Sequence, residues 1–302
     1  MKHIPTFYSI GTPGKPWGDA ELSQWRFKQV RQRSYAEDVL SAIAQLAARF
    51  DVLQYGQVAD LAESFALMAM RSKDWNTELP SALVTGGVHG YETSGVHGAL
   101  SFLDAHAQAY AGRVNLLVVP CVSPWAYERV QRWNFDAVDP NRSFKTNSAA
   151  KECAALMQLI APLRGQFGMH MDLHETTDTD ESEFRPALAA RDGKTFEPGL
   201  IPDGFYLVDD AANSQPAFQA TIIEAVQRVT HIAPADQQGR LIGSPIVSPG
   251  VIQYELKGLG LCASMSGARY TTTTEVYPDS PRTTPEECIR AQVTAVCAGL
   301  DF

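Results

Sequence analysis

Residues Ser81–Leu103, "SALVTGGVHGYETSGVHGALSFL", decide how the rest of the chain is read. The run "SALVT" is short and apolar, the size of a buried strand. Glycines 86, 87 and 90 then punctuate it, and apolar residues recur at helical spacing beyond them. Further on, "RVNLLVVP" (Arg113–Pro120) is again apolar and rich in β-branched residues, which suits a second strand. Strand, sharp turn, helix and strand make an α/β unit with a largely buried, mixed sheet.

The flanks extend this pattern. "SYAEDVLSAIAQLAARF" (Ser34–Phe50) spaces its apolar residues for a helix with Ser34 as N-cap, and "DVLQYG" and "SFALMAM" read as strands. A loop-like stretch, 123–147, precedes a helix over about 149–163. In "FGMHMDLHE" (Phe167–Glu175), Phe167, Met169, Met171 and Leu173 alternate with His170, Asp172 and His174. Period two puts the polar three on one face of a strand. A helix over about 215–230, a strand over 270–276 and a helix over about 285–300 follow. Residues 1–33 read as an irregular lead-in, and the polar stretch after Glu175 as a surface excursion whose acidic run "TDTDES" is solvated. No internal repeat or clear linker divides the chain, so one domain over 1–302 is expected.

Composition narrows the function. Of the residues, 45% are hydrophobic, enough for a substantial core, and the net charge of -9 comes with no basic block. Nucleic acid and anionic membranes are therefore poor partners, and small or peptidic substrates fit better. Proline and glycine interrupt the first eighteen residues where a signal peptide needs an unbroken apolar run, so a soluble, cytoplasmic protein is expected. Cys121, Cys153, Cys262, Cys288 and Cys297 include no CxxC pair and read as buried thiols.

The chemistry concentrates in "GGVHGYE" (Gly86–Glu92). A catalytic zinc takes three imidazole or carboxylate ligands and keeps one position open. His89 and Glu92 have the right donors, and the glycines let the turn bring them together. His174, ending a strand, is the leading third ligand, since α/β sheets gather ligands at the carboxyl ends of their strands. His170 reads as a buried, hydrogen-bonded histidine. His97 lies a turn or more too far along the helix, and His3, His106 and His231 read as structural or solvated.

Four motifs in order carry a resemblance: "GGVHGYE", "DPNRSF" (Asp139–Phe144), "DLHE" (Asp172–Glu175) and "ARYTTTTEVY" (Ala268–Tyr277). Together they resemble the zinc carboxypeptidases, the M14 metallopeptidases, from about Phe50 to the end of the chain. The resemblance implies a three-layer α/β/α fold with a central mixed, mostly parallel twisted sheet. It implies one zinc per chain on His89, Glu92 and His174, and Glu275 as the general base on the attacking water. Asn141 and Arg142 match the pair that grips the terminal carboxylate of a peptide, and a guanidinium fork suits that task. Asp139 matches the acid that orients the first zinc histidine. Arg132 matches the arginine that stabilises the oxyanion, with Arg129 as its rival, and Tyr254 is the nearest candidate for the tyrosine that covers the bound residue. Tyr91 departs from the family, since animal carboxypeptidases carry arginine there.

The activity implied is a metallocarboxypeptidase, a protease acting on peptides with a free carboxylate. The alternative is an N-acyl amino acid deacylase of the succinylglutamate desuccinylase/aspartoacylase type, whose motifs look similar. Layout favours the peptidase, because one helix follows Glu275 where the deacylases place a further domain. A non-catalytic binding protein would be expected to have lost a ligand or the base. A second metal on Asp172 or His170 with the acidic run is a weaker idea, and Lys257 near the pocket would suit an acidic substrate side chain.

Overall fold

The structure, a computed structural model, describes residues 7–60 and 62–302, so His3 lies outside the described residues. One ten-stranded sheet organises them, in the order β1-β2-β4-β3-β5-β10-β6-β9-β8-β7. Its strands are β1 (Phe50–Ala59), β2 (Ser64–Ser72), β3 (Ser81–Gly86), β4 (Asn115–Val119), β5 (Phe167–Glu175), β6 (Tyr206–Asp210), β7 (Arg240–Leu241), β8 (Ser244–Ser248), β9 (Val251–Tyr254) and β10 (Tyr270–Val276).

Parallel pairing, expected to dominate, joins β4, β3, β5 and β10 at the centre and β6 to β9. The other five neighbouring pairs are antiparallel, so the sheet is mixed rather than mostly parallel: β1 pairs with β2 and β2 with β4, β10 pairs with β6 inside the sheet, and β7, β8 and β9 form a meander. Connections of a few residues cannot make the crossover that a parallel pair needs, so the short links at both edges fix the antiparallel sense.

Alternation along the central strands sends side chains to two cores. On β3, Ala82 and Val84 join one apolar cluster and Leu83 the other; on β4, Leu116 and Val118 divide from Leu117 and Val119 in the same way. The first cluster is roofed by α2 (Ser41–Leu46), α3 (Thr93–Ala105), α7 (Pro216–Val226) and α9 (Pro285–Asp301). The second takes α5 (Lys151–Ile160). Helices on both faces make the three layers expected.

On β5, Met169, Met171 and Leu173 enter the first core while His170, Asp172 and His174 face the other way, as period two requires. Phe167 departs from this. The ladder to β3 skips Gly168, and that bulge turns Phe167 into the second core.

Several segments are more ordered than the sequence implied. The lead-in contains α1 (Asp19–Lys28), with Trp25 buried against Trp125 and Trp133. The loop before Asn147 contains α4 (Pro124–Arg129), entirely buried. The acidic run is a π-turn (Asp180–Phe184) leading into α6 (Arg185–Arg191), and Asp180 and Glu181 are buried rather than solvated. A last short helix, α8 (Leu256–Leu259), ends at Gly260. Among the described residues, no helix is long and apolar enough to cross a membrane.

Candidate metal centre

The turn after β3 is built on backbone proximity. Gly87 adopts φ +60, in the left-handed region, and a Cβ on Gly90 would lie 2.0 Å from the Ala126 carbonyl carbon of α4. Only glycine fits either position. His89 and Glu92 thereby close on each other, Glu92 becoming the N-cap of α3. The lead-in holds this turn from outside. Arg33 donates to the Gly90 carbonyl, to Thr93 Oγ1 and to the Tyr127 carbonyl, and its guanidinium lies 3.7 Å from the centre of the Tyr127 ring.

His174 arrives from the end of β5. His89 Nδ1 is 2.7 Å from Glu92 Oε1, and His174 Nδ1 is 2.8 Å from Glu92 Oε2. The other ring nitrogens are turned to carboxylates: His89 Nε2 to Asp139 Oδ1 at 3.0 Å and His174 Nε2 to Asp172 Oδ2 at 2.6 Å. A carboxylate accepting from Nε2–H leaves Nδ1 as the lone-pair side, so both Nδ1 atoms and the Glu92 carboxylate are free to share one cation. One ligand atom from each of the three residues lies within 4.8 Å of the others, and all three residues are buried. Glu92 Oε2 has no aligned hydrogen-bond donor despite the close His174 ring. Two imidazoles, one carboxylate and a buried oxygen without a partner fit a zinc ion.

The charges agree. Burial would raise the Glu92 carboxyl, but His174 and His89 outweigh it and hold the group at about 2. Burial likewise opposes ionisation of Asp139, yet Arg132 and His89 hold it well below the usual carboxylate range. A Lewis-acidic cation would meet carboxylates that are already ionised.

Glu275 ends β10, in register beside His174 of β5. Its Oε2 accepts from Thr176 Oγ1 at 2.9 Å. Burial pushes its carboxyl to about 8, with Glu92 and Asp180 adding to the rise and His174 and Thr176 opposing it.

A cavity of about 930 Å³ opens over these groups, lined by His89, His174 and Glu275 together with Arg132, Asn141, Arg142 and Tyr254. Asn141 is fixed: its Oδ1 accepts from the Cys262 amide at 2.8 Å and its Nδ2 lies 3.3 Å from His174 Nε2. Arg142 donates from Nη1 to the Asn141 carbonyl. Arg132 Nε donates to Asp139 Oδ2 at 3.1 Å, and its Nη1 is 3.5 Å from Asp180 Oδ1. Its rival Arg129 is bound elsewhere, to Glu63 and Asp60 under Trp125. Tyr254 borders the cavity from β9, its Oη accepting from Ser244.

Other expectations fall away from the centre. His170 is the buried histidine expected, its Nε2 3.1 Å from Thr85 Oγ1 and its Nδ1 3.1 Å from Ser266 Oγ. His97 meets Tyr127 Oη instead of the ligands. Lys257 is exposed on α8 and does not line the cavity. Asp172 is engaged by His174 and Thr85, and Asp180 by Tyr91 and the Thr177 amide.

Some site residues left little trace in the sequence. Glu175, already in the "DLHE" motif, accepts from the Thr93 and Ser94 amides and so caps the helix that begins at the metal turn. Asp180, Tyr91 and Arg33 act through partners far along the chain, which spacing alone does not reveal.

Comparison with known proteins adds a family model and a shared fold. Residues 78–194 match the family model described as the succinylglutamate desuccinylase/aspartoacylase catalytic domain. That span contains all three candidate ligands. The chain has the fold of the zinc carboxypeptidases. The crystal structure of a candidate metallopeptidase from Shewanella amazonensis SB2B superposes with TM-score 0.67 at 21% identity, covering 91% of this chain and 98% of that one. A metallo-carboxypeptidase from Burkholderia cenocepacia gives 0.60 at 15%, covering 95% and 69%. One from Pseudomonas aeruginosa, solved in complex with (2-guanidinoethylmercapto)succinic acid, gives 0.58 at 14%, covering 88% and 68%. At these identities the likeness is one of fold. No curated protein sequence matches the chain. The family model matched over 78–194 and the His-Glu-His cluster are those of a metallo-hydrolase.

Proposed function

We propose that the protein is a zinc metallocarboxypeptidase, hydrolysing the amide bond next to a free terminal carboxylate. The observation that carries this reading is the convergence of Arg142, Glu275 and the candidate ligands His89 and His174 on one cavity, with Glu92 clustered against the two histidines. His89 and His174 through Nδ1, with the Glu92 carboxylate, would hold one zinc ion. Bound there, zinc supplies a Lewis acid that polarises a carbonyl and makes water more acidic.

The chain's own residues do the rest. Asp139 and Asp172 hold the two imidazoles in the tautomer that presents Nδ1. Arg142 and Asn141 take the substrate carboxylate and set the scissile carbonyl against Glu275. Glu275 accepts the proton of the attacking water and passes it to the leaving amine, and a group balanced near neutrality suits both transfers. Arg132, anchored by Asp139, is the donor for the developing oxyanion. Tyr254 closes over the bound residue.

The size of the cavity favours a peptide. Its lining reaches from the metal ligands to Trp17 and Leu22 of the lead-in and Phe184 and Leu188 of the acidic turn and α6, more room than a small N-acyl amino acid needs. The deacylase reading keeps one specific support, the family model matched over 78–194.

The test is metal content together with hydrolysis of free peptides, C-terminally blocked peptides and N-acyl amino acids. Zinc-dependent release of single residues from free carboxyl ends alone is expected, and cleavage confined to N-acyl amino acids would move the protein to the deacylases. Glu275→Gln should lower turnover by about two to four orders of magnitude with zinc still bound.

A further inference from the structure

The carbonyls of the metal turn take hydrogen bonds from different elements, and one donor comes from the lead-in. Ser123, the N-cap of α4, donates its amide to the Gly87 carbonyl at 2.9 Å and its hydroxyl to the Val88 carbonyl at 2.7 Å. The Glu92 amide donates to the His89 carbonyl at 3.3 Å. The Gly90 carbonyl, between the two ligands, accepts from Arg33. Arg33 also donates from Nη1 to Thr93 Oγ1 at 2.6 Å and from Nε to the Tyr127 carbonyl at 2.7 Å. All three acceptors are neutral, and among the described residues Arg33 meets no carboxylate at ion-pair distance. Its guanidinium therefore serves by the shape of its donor fork, with the face of the Tyr127 ring 3.7 Å away taking up the charge.

Arg33 is itself fixed on both sides. The buried Glu128 carboxylate accepts from Arg31 Nε at 2.7 Å and from the Tyr35 amide at 2.9 Å, and the Glu128 carbonyl accepts from the Gln32 amide at 2.7 Å. From the opposite direction Glu175 of β5 takes the Thr93 and Ser94 amides, so residues 90–94 are gripped between β5 and the lead-in. Gly90 is buried, and loss of Arg33 would leave its carbonyl without this donor. An unpaired buried carbonyl costs free energy, and this one regains a partner only by rotating its peptide, which turns His89 relative to Glu92.

We propose that Arg33 is a positioning residue of the metal centre and that lead-in and metal are energetically coupled: Arg33 holds residues 89–93 in the geometry that admits zinc, and bound zinc in turn tightens the lead-in. This rests on the zinc reading of His89, Glu92 and His174. Coupling of this kind is reciprocal, so each partner strengthens the other by the same factor. Arginine is required, since one ammonium group cannot reproduce a planar fork that reaches three separate acceptors.

The test is zinc affinity by chelator competition on the wild type, Arg33→Met and Arg33→Lys, beside urea unfolding of the same proteins without metal. Arg33→Met should weaken zinc about 10- to 100-fold, the loss that follows removal of a group orienting a metal ligand, and Arg33→Lys, which keeps the charge, should not restore it. A purely structural role would lower metal-free stability and leave the folded protein's zinc affinity alone. Wild-type zinc affinity in either variant overturns the proposal, whatever happens to its metal-free stability. Amide hydrogen exchange on the wild type needs no variant. Zinc should slow the Gln32, Arg33 and Tyr35 amides, all bonded to Glu128, more than those of β8 toward the far edge of the sheet. Equal slowing in both places overturns the coupling. A wild-type protein that binds no zinc would instead overturn the underlying metal reading, so the two failures are distinguishable.

Discussion

Acidification should destabilise this fold through one residue that takes no direct part in the chemistry, and His170→Gln should reveal it. His170 is fully buried between Thr85 and Ser266, and burial lowers its pKa from 6.5 to about 4, with Asp172 opposing the change. The unfolded chain takes up a proton at this imidazole as pH falls through 6.5, whereas the folded protein refuses it until about 4. The unfolded state therefore binds more protons across that window, and stability present above 6.5 is lost as pH drops toward 4. A difference of about 2.5 pKa units at about 1.4 kcal/mol each gives about 3 kcal/mol. Glutamine can still bond to both hydroxyls and does not titrate. Urea unfolding followed by tryptophan fluorescence from pH 7 to 4, with chelator present throughout, would compare the two proteins, because every other titrating group is common to both. The gap between wild type and variant should move by about 3 kcal/mol in favour of the variant across that range. Parallel pH profiles would refute the assignment of acid sensitivity to His170.

Other expectations concern the centre and the turn that builds it. Asp172→Asn removes the carboxylate 2.6 Å from His174 Nε2 and should weaken zinc about 10- to 100-fold in a chelator competition, with little change in far-ultraviolet dichroism. Unchanged zinc affinity would mean that Asp172 does not orient the ligand. Gly90→Ala drives a methyl group into the α4 backbone and should cost about 3 kcal/mol or more in denaturant unfolding; a near-neutral result would show that the turn can move. Arg142→Ala should raise KM for substrates with a free carboxylate by about one to two orders of magnitude and leave amidated ones as they were, and identical losses on both would remove its role as carboxylate anchor.

The local patterns were legible because each has a period or a chemistry of its own. Alternation in "MHMDLH" put His170, Asp172 and His174 on one face, and the glycines around His89 marked a turn that no other residue could make. Failures came where order depends on distant partners. The lead-in forms a helix because Trp25 finds Trp125 and Trp133, and Arg33 reaches the Gly90 carbonyl some sixty positions away. The acidic run is buried because Asp180 meets Tyr91 and Arg132, and Glu181 meets Arg185. A charged stretch read by composition alone looks solvated, since composition says nothing about compensating charges elsewhere.

By itself the sequence determined which donors were available, two histidines and a glutamate at strand ends, and that the chain alternates strand and helix. Only the tertiary structure decided which ring nitrogens face Glu92, which arginine reaches the cavity, and which one clamps the metal turn. Donor type is a property of one side chain, whereas orientation and pairing are set by neighbours that the fold brings from other segments.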